Sequence, residues 1–110
     1  MKPPITYDDF DKIDVRIGTI ESATAPEWSS KLLRFEVDFG EEIGKRVIFS
    51  GIKQWYSPDT FVGKQFPFLV NLAPKKMGPE ESQGMMLMSD GEKPTLFHLD
   101  DSVQTGAIVR

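Results

Sequence analysis

The sequence predicts an all-β fold, and three observations carry that expectation. Leu33, Phe35, Val37 and Phe39 alternate with Arg34, Glu36 and Asp38, the period-two pattern of a strand with one buried face. About five short strands of this kind fit into the chain of 110 residues. No helices of about 10–15 residues alternate with them, which disfavours a doubly wound parallel sheet. A small closed barrel suits such strands because closure removes exposed edges. The expected architecture is a five-stranded OB-fold barrel with a short inter-strand helix and an N-terminal helical turn. A small sandwich and an SH3-like barrel share these cues.

Taken in order, Thr6 and Asp9 have the spacing of a helix-opening capping pair, and Tyr7, Phe10 and Ile13 lie three apart as an apolar stripe. Val15, Ile17, Gly18 and Ile20 change phase around the glycine, as in a bulged or strongly bent strand. APEWSS is a loop, with Trp28 as its anchor. The alternating strand over 33–39 follows, then the turn GEEIG and a returning strand over 45–52. Ser57-Pro58 has the signature of an N-cap followed by proline at the first helical position, opening a short helix that ends near Gly63. Phe66, Phe68, Val70 and Leu72 define another buried face. Residues 85–88 read as a short apolar strand, Asp90-Gly91 as a hairpin, and 95–99 as the last sheet segment before a short tail. One domain over residues 1–110 is expected, without repeats or linkers.

Formal net charge is −4, yet the charges are segregated. Residues 43–76 carry six basic groups against the single Asp59, a local +5 between segments of −5 and −4. A local positive field is therefore available despite a global balance that argues against a general polyanion binder. The chain has no cysteine, so disulfides and thiol chemistry are excluded. It has neither an apolar run of the roughly 20 residues needed to cross a bilayer nor a secretory h-region, so a cytoplasmic setting without membrane insertion is expected.

Catalysis finds little support. His98 is the single histidine, so neither a zinc set nor an ordinary activated triad can be assembled, and it reads as structural or solvent-facing. Asp8, Asp9, Asp11 and Asp14 lack the spacing of a calcium loop. Nucleotide-binding glycine loops and the G-x-S-x-G setting are absent. No enzyme activity, cofactor or metal is expected.

The segments DFDKIDVRIGTI, SKLLRFEVDFG, KRVIFSGI and NLAPKKMGPEESQGMMLM occur in an order that resembles the EMAPII-like tRNA-binding domain. That family includes the C-terminal domain of bacterial methionyl-tRNA synthetase, free-standing tRNA-binding proteins and the export-related chaperone CsaA. The resemblance implies an OB fold and, for stand-alone members, a homodimer that binds tRNA by shape. Carried across by motif, the RNA-binding candidates are Lys31, Lys45, Arg46, Ser50, Asn71, Lys75, Lys76, Met77, Ser82 and Met85; Lys53 joins them from local charge alone. Lysines offer mobile point charges to phosphate, while Asn71 and Ser82 offer uncharged hydrogen-bonding groups. As ordinary structure, Asn71 serves its turn, Ser82 caps local backbone, one of the methionines fills the core, and the Lys75-Lys76 pair is a solvated turn.

The sequence departs from many relatives after Met77, where Gly78-Pro79-Glu80-Glu81 replaces a basic and apolar-glycine stretch. Two negative groups beside the ligand surface imply weaker tRNA binding than in a strongly basic relative. DFGEEIG and YSPDTFVGKQ are similar to CsaA, which implies an alternative partner, an unfolded or extended peptide or preprotein, with Phe49, Trp55, Tyr56 and Met85 as apolar contacts. Docking on an aminoacyl-tRNA synthetase is a third role. For a homodimer, Tyr7, Phe10, Ile13, Val103, Ala107, Ile108 and Val109 are the interface candidates; in a monomer the same residues would close the barrel.

Overall fold

The structure, a computed structural model, describes residues 1–110. Its first element is the helical turn α1 (Tyr7–Phe10). The Asp9 amide donates to Thr6 Oγ1 at 3.1 Å, and the Thr6 amide donates to the Asp9 carboxylate at 3.4 Å. The capping pair expected from the spacing is therefore formed.

Ten strands follow: β1 (Val15–Thr24), β2 (Leu33–Asp38), β3 (Lys45–Ser50), β4 (Gln65–Leu69), β5 (Lys75–Met77), β6 (Glu80–Ser82), β7 (Met85–Met86), β8 (Met88–Ser89), β9 (Thr95–Leu96) and β10 (Ile108–Val109). The main sheet has the order β3-β2-β1-β4-β7, all antiparallel. Between β3 and β7 the gap is bridged partly by side chains. The Gln83 amide donates to the Val47 carbonyl at 2.8 Å, the Val47 amide to Gln83 Oε1 at 3.0 Å, and the Phe49 amide to Ser82 Oγ at 3.0 Å. These bonds occupy backbone groups on the β3 edge and close a five-walled OB-like barrel.

Leu33, Phe35, Val37 and Phe39 are all sealed in the interior, as their alternation predicts. Phe61 packs between Phe35 and Phe66 at centroid distances of 4.8 and 5.7 Å, and Phe39 meets Phe68 edge-on at 5.4 Å. Gly18 has a packing reason. A Cβ there would overlap Val37 Cγ1 and approach Phe39 Cε1 to 2.6 Å, so the absent side chain lets the Phe39 ring rest on the β1 backbone. The irregularity expected at Gly18 lies slightly later, where the β1–β2 register shifts between Ile20 and Ser22.

Several expectations need correction. Leu72 is exposed, because β4 ends at Leu69 and the bond from the Val70 amide to the Asp14 carbonyl at 2.9 Å is the last in register with β1 before the chain turns. Ser57 precedes a 3-10 turn, Pro58–Thr60, and its hydroxyl meets Thr60 Oγ1 at 3.3 Å rather than capping backbone. The run 85–88 splits into β7 and β8, with Met86 as the buried member. The C-terminal segment is no loose tail. Gln65 holds Val103 through a pair of bonds at 2.8 and 3.0 Å, and β10 pairs with Val15 and Arg16. His98 is exposed, with its ring 5.6 Å from Phe66. No helix is long and apolar enough to cross a membrane.

Candidate nucleic-acid interface

The outer face of β2 and β3 is where the charged loops converge. Arg34 and Phe49 are cross-strand partners there, and Trp28, from the loop after β1, covers Phe49 with ring centroids 5.7 Å apart. The β5–β6 hairpin then folds over the indole. Gly78 sits at its tip with φ +57°, and a Cβ at that position would stand 2.7–2.9 Å from three atoms of the Trp28 ring. Glycine supplies both the left-handed turn and the close approach. Arg34 fixes the hairpin from below through Nε and Nη2, which donate to the two Glu80 carboxylate oxygens at 2.8 and 2.9 Å.

Trp28 thus joins the hairpin carrying Lys75 and Lys76 to the loop carrying Lys31. The loop after β3 attaches to the same loop: the Lys53 amide donates to the Lys31 carbonyl at 3.1 Å, and Lys53 Nζ to the Ser29 carbonyl at 3.3 Å. Lys31, Lys53, Lys75 and Lys76 are all exposed, and none belongs to an ion pair. Within the hairpin, Lys75 stands opposite Ser82 and Lys76 opposite Glu81, so the two lysines project to its two sides.

The remaining candidates are placed differently. Lys45 and Arg46 are consecutive strand residues on opposite faces. Lys45 lies 3.1 Å from Glu21, whose hydrogen bond and charge hold its ammonium above the ordinary lysine range. Arg46 turns toward the barrel end, donating to the carbonyls of Val70 and, at 3.2 Å, Gln83. Asn71 accepts from the Asp14 amide at 2.8 Å and donates to the Lys12 carbonyl at 2.6 Å, pinning the N-terminal segment beside β4. Ser82 is buried; besides accepting from Phe49, it donates to the Gly84 carbonyl at 3.1 Å. Met77 is half-buried opposite Glu80. The Ser82 hydroxyl is buried and bonded within the fold, whereas exposed Asn71 spends one donor and one acceptor there and keeps a second N–H.

Glu80 also differs from expectation. It is not a free negative group, because the Arg34 guanidinium binds it in bidentate fashion. That hydrogen bonding, with Coulomb attraction behind it, holds the carboxyl below the ordinary glutamate range. Glu81 has no such partner. Sequence reasoning missed Arg34 and Gly78. Arg34 sits in an alternating charged row that reads as a solvated face, and Gly78-Pro79 signals a turn without saying what lies under it.

A second feature adjoins Lys53. Ser50, Trp55 and Met85, with Ile52, Asp90 and Pro94, line an open groove of about 450 Å³. It holds two of the four peptide candidates, Trp55 and Met85. Tyr56 is outside it, donating to the Pro94 carbonyl at 2.6 Å with Lys93 Nζ 5.1 Å from its ring centroid. Phe49 is not a groove contact. It is buried under Trp28 on the other side of β3.

Six of the seven dimer candidates are exposed, and Ala107 is half-buried. The two apolar segments meet at the start of β1, where Val109 pairs with Val15, two residues beyond Ile13.

Residues 15–108 match the family described as "Putative tRNA binding domain". The methionine–tRNA ligase of Xylella fastidiosa strain M12 is 49% identical over 111 residues, covering 98% of this chain and 16% of that relative. The corresponding ligase of Methanococcoides burtonii is 49% identical over 86 residues, 78% of this chain and 12% of its own length. The chain therefore spans about a sixth or less of these curated relatives. Among solved structures, the MetRS-related protein from Pyrococcus horikoshii superposes with a TM-score of 0.91 at 35% identity, covering 99% of this chain and 100% of that one. The chaperone CsaA of Bacillus anthracis str. Ames gives 0.88 at 27% identity, covering 98% and 100%.

Proposed function

The chain belongs to the tRNA-binding domain family, and we propose that it acts as a non-catalytic, structure-dependent tRNA-binding domain, a single cytoplasmic OB unit over residues 1–110 that works as a homodimer and assists an aminoacyl-tRNA synthetase. The observation that carries this reading is the set of unpaired lysines, 31, 53, 75 and 76, on loops joined through Trp28. Ammonium groups without carboxylate partners are free to replace counterions along a phosphate backbone. The likeness to methionine–tRNA ligases motivates the synthetase partner. In the proposed dimer the exposed stripe of α1 meets the β10 segment across a two-fold axis, and two equivalent lysine surfaces engage one RNA.

Titrating total tRNA, duplex DNA and an unfolded peptide against the chain at several salt concentrations tests this reading. Preferential tRNA binding that weakens with salt supports it. Peptide binding with no tRNA response overturns it in favour of a CsaA-like chaperone. One observation favours that second reading: the groove presenting Trp55 and Met85 is open to an extended apolar chain.

A further inference from the structure

The groove beside Lys53 carries chemistry that the lysine surface does not use. We propose that it is a subsite for an unpaired guanine base of the bound RNA. The proposal rests on the tRNA-binding reading and specifies what that RNA presents at this position.

Trp55 is 37% exposed and Met85 48% exposed, and both line the groove. The exposed part of an indole is a stacking platform for any base, and a thioether adds a soft apolar contact. Selectivity comes from the polar part of the rim. Ser50, Ser89 and Asp90 line the same groove, and none of the three enters a side-chain hydrogen bond or ion pair within the chain. A carboxylate only accepts hydrogen bonds. Guanine alone among the four RNA bases offers it two adjacent donors on the Watson–Crick edge, N1–H and the N2 amino group. Uracil presents one N–H flanked by two carbonyls, which the carboxylate repels. Folded RNA exposes such edges in its loops, where bases are unstacked.

The surroundings favour a nucleotide over a peptide. Lys53 follows Ile52, which lines the groove, and its ammonium, bonded to the Ser29 carbonyl, has no carboxylate partner. A base in the groove leaves its phosphate at this edge, leading toward Lys31. Apolar peptide side chains offer Asp90 no donor, and single backbone N–H groups do not match the paired donors of a guanine edge.

Incorporating 5-fluorotryptophan gives two fluorine NMR signals, from Trp28 and Trp55, assigned with W55F. The probes are a uridine hexaribonucleotide and the same hexamer with one central guanosine. The guanosine hexamer should shift the Trp55 signal and bind about fivefold or more tighter, the scale of charge-assisted hydrogen bonds discounted for solvent exposure. D90N should erase that ratio. W55A should weaken both hexamers about tenfold. Equal affinities in the parent, or a ratio unchanged by D90N, overturn the proposal. If tRNA binds while the Trp55 signal stays still, the subsite is wrong and the lysine surface stands. If an extended apolar peptide moves Trp55 while neither hexamer nor tRNA binds, the subsite and the RNA reading fail together.

Discussion

Glu80→Gln isolates the departure that distinguishes this hairpin. Glu80 engages Arg34 through two hydrogen bonds at 2.8 and 2.9 Å, so the substitution removes the bidentate charge partner of the guanidinium and leaves it only the looser pair with Glu36 at 3.7 Å. If Arg34 then contacts one phosphate, the slope of log affinity against log salt steepens by about 0.7–0.9. With no gain at a 1 M reference, affinity rises about 8- to 15-fold at 50 mM salt and about three- to fourfold at 200 mM. Glu81→Gln removes a charge that holds no cation, so it should raise affinity modestly at low salt, with a gain that fades as salt screens the repulsion and a slope change smaller than that of Glu80→Gln. Fluorescence polarisation of labelled tRNA at four salt concentrations reads both quantities, with a thermal melt as the check on folding. Adding R34Q to E80Q should return the slope to the parental value. A parental slope in E80Q, or a gain that survives R34Q, refutes the release of Arg34 as the cause.

Three further outcomes are expected. Because Glu80 has a depressed pKa in the folded state, the stability it lends the docked hairpin is present above the ordinary glutamate range and is lost as pH falls through the depressed value. Trp28 fluorescence followed into acid should show that transition in the parent and lose it in E80Q. Gly18→Ala should cost about 1–3 kcal/mol in urea unfolding by forcing the Phe39 ring off β1, whereas Gly91→Ala, with open space at its Cβ, should stay within about 0.5 kcal/mol. Sedimentation should show a concentration-dependent dimer that F10D with I13D dissociates; a concentration-independent parental monomer refutes the proposed assembly.

Local pattern made much of the barrel legible. The alternation over 33–39 needs only one buried face, and the Thr6–Asp9 capping box is complete within four residues. Contacts set by chain closure were not legible in this way. Gln83 and Ser82 bond the β3 edge from more than 30 residues away, and β10 joins β1 from the far end of the chain. The candidate site divides along the same line. Lys31, Lys75 and Lys76 came from motif likeness and remain free on the surface, whereas neighbouring Lys45 and Arg46 are separated by strand pleating and taken up by Glu21 and by backbone carbonyls. The pairing of Arg34 with Glu80 spans 46 positions, and no local charge pattern announces it.

The salt dependence of tRNA binding before and after K31A with K76A bears most directly on the role of the unpaired lysines. Four phosphate contacts give a slope of about −2.8 to −3.6, equivalent to a loss of roughly 50- to 150-fold between 50 and 200 mM salt. Removing two of them should halve the slope and reduce that loss to roughly 7- to 12-fold. An unchanged slope in the double variant would show that the phosphates lie elsewhere.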